Sequence, residues 1–160
     1  MTYTDSFLRK VLNEAQVIAM VGASTNPVRA SYFVASYLTA RGRRVIPVNP
    51  AQAGQVLFGE PVLSDLSDIT DPVDMLDIFR RSEHVPAILD QALADLRPSL
   101  KSVWMQFDVI HPDAAARAEA AGLDVVMDRC PKVEMARLNR EIGAVGIASG
   151  VISSKLNRKI

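Results

Sequence analysis

Cysteine, histidine and net charge are all scarce in this chain. The single cysteine, Cys130, excludes an intrachain disulfide and any multi-cysteine metal site. The two histidines, His84 and His111, show no metal-ligand spacing with it. Eighteen basic residues balance eighteen acidic ones, and no Lys/Arg run exceeds a pair. Bulk attraction to nucleic acid or to an anionic membrane is therefore excluded as a design. The N-terminal stretch MTYTDSFLRKVLNEAQ has no unbroken apolar segment of signal-peptide length, and no later stretch is long enough to span a bilayer. A chain of 160 residues, 49% hydrophobic and 22% charged, is expected to bury one core, as a single cytoplasmic domain over residues 1–160.

The apolar pattern alternates between two periods. Thr4 or Asp5 is placed to cap a helix over 4–15 that keeps Phe7, Leu8, Val11, Leu12 and Ala15 on one face. VIAMV (17–21) then reads as a strand buried on both faces. Helical spacing returns from Ser31 to Arg41 and closes at Gly42, RVIPV (44–48) is a second strand, and a short helix is expected around Leu63 to Leu66. VDMLDIF (73–79) is a third strand, followed by a helix from Val85 to Leu96 that Pro98 stops. SVWMQF (102–107) is a fourth strand, DAAARAEAAG (113–122) a helix closed by its glycine, and DVVM (124–127) a fifth strand. A helical tail is expected over 132–160, loosening at Gly143, Gly146 and Gly150. Strands alternating with helices of about ten residues imply right-handed crossovers. The expected fold class is α/β, a Rossmann-like doubly wound parallel sheet of about five strands between two helical layers.

In such a sheet ligands bind beyond the carboxyl ends of the strands, so the residues just after each strand carry the functional information. They read Gly22-Ala23-Ser24, Asn49-Pro50, Phe79-Arg80-Arg81-Ser82, Gln106 with Asp108, and Asp128-Arg129-Cys130. A glycine directly after the first strand permits a tight turn and brings backbone N–H groups and a helix N-terminus to a phosphate, with Ser24 and Arg29 in reach. The glycine spacing falls short of G-x-G-x-x-G, so the loop by itself says only phosphate. The second strand end lacks the acid that an NAD ribose requires: it reads PVNP. Arg80, with Arg29, suits a ligand with several phosphates, and coenzyme A is one.

The segments GASTNPVRASYFVASYL, GRRVIPVNP, LFGEPV, VDMLDIFRRSE, VWMQF and VVMDRCPKVE resemble the small stand-alone CoA-binding proteins, which are related to the nucleotide-binding domain of the succinyl-CoA synthetase alpha subunit. The resemblance runs from about Val17 to Glu134. It implies a Rossmann-like fold with CoA or acyl-CoA along the carboxyl edge and no assigned reaction. By the same resemblance Gly22, Ala23 and Ser24 hold the pyrophosphate with Arg29 beside them. Asn49 and Pro50 border the adenosine, Phe79, Arg80 and Ser82 form the opposite wall, and Gln106 faces the pantetheine. One departure is Phe107-Asp108-Val109, where the family often has a glycine.

Catalysis has few candidates. His84 and His111 read as surface residues, and Asp108 and Asp128 could act as acid and base only with a substrate between them. Cys130 is a packed thiol or, beside Arg129, one with lowered pKa that forms a mixed disulfide with the CoA thiol. The expected function is non-catalytic CoA binding. An NAD(P)-dependent oxidoreductase is the alternative if Arg43 or Arg44 takes a 2′-phosphate, and an accessory subunit lending CoA to a partner enzyme is another. Expected partners are thus a small-molecule ligand and either a second copy or a partner enzyme, with no metal, nucleic acid or membrane.

Overall fold

The computed structural model describes residues 1–141. Helix α1 spans Asp5–Glu14, and the Thr4 side chain caps it by accepting from the Phe7 N–H at 3.2 Å. Five strands form the main sheet: β1 (Val17–Val21), β2 (Arg44–Val48), β5 (Met75–Ile78), β6 (Ser102–Met105) and β7 (Asp124–Val126). Helices α2 (Ala30–Ala40), α3 (Val85–Asp95), α4 (Pro112–Ala120) and α5 (Pro131–Leu138) alternate with them. All pairings are parallel, in the order β2-β1-β5-β6-β7.

The order explains where the helices lie. The chain steps from β1 to β2 in one direction and from β5 through β7 in the other. Right-handed crossovers in opposite directions put their helices on opposite faces. Accordingly Val34 and Leu38 of α2 pack with Leu8 and Val11 of α1 and Met135 of α5 on one face, over Met20, Met75 and Trp104. Leu89 of α3 and Ala114 and Ala118 of α4 cover the other face, over Ala19, Leu76, Ile78 and Val103. The result is the expected α/β/α Rossmann-like sheet. The direction of winding reverses between β1 and β5, and that is where a ligand crevice forms.

Two expectations change. The short helix expected around Leu63 to Leu66 is a 3-10 turn over Leu66–Asp68, capped by the Asp65 side chain accepting from the Ser67 N–H. Before it stands a hairpin, β3 (Val56–Leu57) with β4 (Glu60–Pro61), whose two turn residues Phe58 and Gly59 have φ of 47° and 84°. Of the stretch expected to form a helical tail, the described residues contain α5 (Pro131–Leu138). Residues 142–160, with Gly143, Gly146 and Gly150, lie outside the described residues.

Candidate functional site

Beyond the carboxyl ends of β2, β1 and β5 the structure opens a cleft of about 210 Å³. Val21, Val48, Ala87 and Ile88 make it largely apolar, while Gly22, Asn49, Pro50, Arg80 and His84 line the rest. No acid lines it. An apolar slot with the Arg80 guanidinium at its rim fits a flat base carrying phosphate.

Gly22 sets the geometry. Its φ is 84°, and a Cβ there would overlap the carbonyl oxygen of Phe79 and approach the Arg80 Cδ to 3.1 Å. Only glycine lets the loop after β1 lie against the end of β5. The Gly22 N–H donates to the Val48 carbonyl at 2.9 Å, which ties the same point to β2.

The loop is held by its own side chains. Asn49 donates from Nδ2 to the Ala23 carbonyl at 2.8 Å, and its Oδ1 accepts from the Ala51 N–H at 3.0 Å. The buried Ser24 accepts at Oγ from the Asn26 N–H at 3.1 Å, and its own N–H donates to Ser31 Oγ at 3.0 Å. Gln52 accepts from the Thr25 N–H at 2.8 Å. Ser24 thus shapes the loop. The N-terminus of α2 stays open: its cap residue Arg29 makes no side-chain capping bond, and no acid sits in the first turn.

The expected site residues divide into groups. Gly22, Asn49, Pro50 and Arg80 meet at the cleft, with Ala23, Ser24 and the exposed Arg29 in the adjoining loop. Neither Arg29 nor Arg80 has an ion-pair partner among the described residues, so both are available to an anion. Phe79 does not line the cleft; it packs against the core on the α2 side of the sheet. Ser82 accepts from the Ile110 N–H at 2.9 Å and so fastens the exit of β5 to the loop after β6. Gln106 is buried and donates from Nε2 to Asp77 Oδ1 at 2.6 Å.

Asp77 is the group that the sequence reading missed. It lies inside β5, fully buried, and its Oδ2 has no hydrogen-bond partner. Burial pushes its carboxyl up to about 7, with the Gln106 bond opposing. An acid in the middle of an apolar strand was the available signal. His84 was read as a surface residue but lines the cleft.

Several chemical expectations are corrected. Arg129 does not lower the Cys130 thiol: its guanidinium donates to the Asp128 and Met1 carbonyls at 2.8 and 2.9 Å. Cys130 is fully buried, and that burial pushes its thiol up to about 11. The acid–base reading of Asp108 and Asp128 gives way to a brace, because Asp128 Oδ1 accepts from the Asp108 N–H at 2.8 Å. Both residues have positive φ, 65° and 55°, so the position where the family often has glycine keeps a left-handed backbone here. His111 caps α4, its Nδ1 accepting from the Ala114 N–H at 3.1 Å.

The NADP alternative fails on geometry. Arg44 opens β2, four residues before Val48, and pairs with Glu60 at 2.7 Å and Asp71 at 2.8 Å. Arg43 donates to the Leu12 carbonyl at 3.2 Å. At about 3.3 Å per strand residue, both sit some 13 Å or more from the cleft, at the other end of the sheet. Among the described residues no helix is long and apolar enough to cross a membrane, and no His/Cys/Asp/Glu group could hold a metal.

Comparison with known proteins identifies the family and the fold. The sequence profile of the CoA binding domain matches residues 16–136. The uncharacterized protein YneT of Bacillus subtilis (strain 168) is 32% identical over 126 residues, covering 79% of this chain and 90% of its own length. A solved Thermus thermophilus structure has 42% identity and a TM-score of 0.79, covering 85% of this chain and 99% of that one. A hypothetical protein from Pyrococcus horikoshii OT3 has 32% identity and a TM-score of 0.77, covering 86% and 93%. The ADP-bound, dinucleotide-forming acetyl-coenzyme A synthetase of Ca. Korarchaeum cryptofilum shares the fold at 22% identity and a TM-score of 0.59, over 77% of this chain and 27% of that one. The chain belongs to the CoA-binding domain family.

Proposed function

We propose that the protein binds coenzyme A or an acyl-CoA along the carboxyl edge of its sheet and performs no chemistry on it. The observation that carries this reading is the cleft at the β1/β5 reversal, apolar inside, free of acids, and rimmed by Arg80. Adenine fills the slot between Val48 and Ile88, Arg80 pairs with a phosphate, and the pyrophosphate lies on the Gly22-Ala23 turn against the open end of α2. The pantetheine then crosses toward the loop after β6.

The non-catalytic part rests on what the candidate groups are already doing. His111 is spent as a helix cap, Asp128 braces a loop, and Cys130 is enclosed. An NAD ribose finds no carboxylate at the end of β2, where Asn49 bonds to the Ala23 carbonyl instead.

Thermal unfolding tests the reading. CoA at one hundred times its Kd adds about 2.7 kcal/mol. In a chain of this size that raises Tm by about 5–10 °C. NAD at the same concentration is expected to leave Tm nearly unchanged; a larger shift with NAD than with CoA rejects the assignment.

A further inference from the structure

Charge is spread through most of the chain but is missing from two stretches. Lys, Arg, Asp and Glu make up 22% of the residues, yet none occurs in 30–40 or in 45–59. The first stretch is helix α2, and the second runs from β2 into the β3–β4 hairpin. Burial accounts for only part of this. Val34, Ala35 and Leu38 of α2 and Val45, Ile46 and Val48 of β2 are core residues, where apolar side chains belong. Val56 and Phe58 in the hairpin are instead 64% and 39% exposed, and Val28, two residues before α2, is 67% exposed. Three of the five large hydrophobic residues exposed among the described residues therefore lie in or beside the charge-free stretches.

The fold brings hairpin and helix together. The hairpin packs beside β2, the edge strand of the main sheet. It reaches α2 through Phe58, whose ring centroid lies 4.9 Å from that of Tyr32, in the first turn of the helix. Leu57 is buried in the core on the α2 side and anchors the hairpin. Val56, its neighbour in the strand, points the opposite way and anchors nothing. The surroundings are polar but uncharged: Thr25 donates from Oγ1 to Gln55 at 2.6 Å and from its N–H to Gln52 at 2.8 Å. The flanking charges are Arg29 at the phosphate loop, and Arg44 and Glu60, which pair with each other at 2.7 Å. An aromatic and aliphatic centre without charge, inside an uncharged polar rim, has the composition of a protein–protein contact.

We propose that this face docks a second copy of the same chain across a two-fold axis, with Val56 and Phe58 at the centre of the contact. A partner of another kind is commonly selected by opposite charge, and this face has none to offer. A two-fold contact sets the reverse condition. One patch supplies both sides, so charges of one sign on it would face one another. A charge-free patch is the composition that avoids this. Neither Val56 nor Phe58 lines the cleft, and the inference does not rest on the CoA reading.

Sedimentation of the intact, ligand-free chain over a concentration series tests this, with circular dichroism to show that each variant is folded. Wild type is expected to sediment as a dimer that dissociates on dilution. Val56→Lys puts an unpaired charge into the contact from both sides and should weaken the dimer by at least about a hundredfold. Phe58→Asn removes the ring but leaves an Asn-Gly turn, the pair favoured where both turn residues have positive φ, as at 47° and 84° here. Its monomer should therefore fold, and its dimer should weaken by about tenfold or more. Ile110→Lys places the same charge at an exposed apolar residue outside this face and should leave the dimer unchanged. A wild-type chain that stays monomeric throughout overturns the proposal. So does a dimer that Val56→Lys and Phe58→Asn leave intact, or that Ile110→Lys weakens equally. Monomeric wild type that floats with phosphatidylcholine vesicles would overturn it in favour of a lipid surface. Since no ligand is present, a failure of CoA to bind would leave these results standing.

Discussion

Gly22 lies so close to the backbone of Phe79 that a single methyl group between them would collide with the Phe79 carbonyl oxygen. The contact joins the loop after β1 to the end of β5, the two neighbouring parallel strands between which the direction of winding reverses. Gly22→Ala must escape both that overlap and a φ of 84°. It is expected to destabilise the fold by about 2–4 kcal/mol. It should also abolish measurable CoA binding, since relief of the overlap moves the turn away from Arg80. Urea unfolding and titration of the surviving folded protein check both; a variant as stable as wild type would show that the loop has room to yield.

Arg80 and Arg81 are adjacent and equally charged, which makes them each other's control. Arg80 lines the cleft, whereas Arg81 is turned to solvent 3.7 Å from Glu83. Arg80→Ala should weaken CoA by about ten- to hundredfold through loss of a charge-assisted phosphate contact. Arg81→Ala should change affinity little, because an exposed pair of this kind contributes little. Equal effects would mean that only the net charge of the strand end matters.

Most of the main sheet is legible in the sequence because its strands are buried on both faces and read as unbroken apolar runs, as VIAMV and RVIPV do. The strand-end residues follow from topology alone, which is why Gly22, Asn49, Pro50 and Arg80 emerge together. Two-residue strands have no period to detect, so the hairpin of β3 and β4 is hidden, and its turn uses Phe58 where Asn or Asp would have signalled it. The partners of side chains are equally hidden. Ser24 looks like a phosphate ligand and Arg129 like an activator of Cys130, yet Ser24 Oγ accepts from the Asn26 N–H within its own loop and the Arg129 guanidinium donates to the Asp128 and Met1 carbonyls. Lys132 reads as one more charge in the expected helical tail, yet in the fold it is buried where α5 packs on α2.

Asp77 gives the folded protein a defined pH dependence. Its carboxyl titrates at about 7 in the fold against an ordinary value of 3.8. Between these values the unfolded chain releases a proton that the folded chain keeps, so this group's contribution to stability falls as pH rises through the window. The loss reaches about 4 kcal/mol above pH 7. Asp77→Asn carries no such proton and can still bond to Gln106. Its stability advantage over wild type should be small near pH 4 and grow up to neutral pH. Parallel stability curves for the two proteins would show that the carboxyl is not held in this way.

Cys130 should be inert in the native state. Its thiol is buried and its pKa raised to about 11, so at pH 8 little thiolate exists and a reagent has no path to it. Labelling followed by intact mass should proceed only at the rate of protein opening, and CoA should slow it as a stabilising ligand. Labelling much faster than unfolding, blocked competitively by CoA, would restore a thiol facing the ligand.

The most direct measurement is calorimetric titration of the intact protein with CoA, NAD and NADP in parallel. The acid-free cleft, Arg80 and the remote positions of Arg43 and Arg44 predict saturable binding of CoA at one site per chain. They also predict affinities for NAD and NADP at least about tenfold weaker. Absence of CoA binding, or tighter binding of NADP than of CoA, would contradict the account.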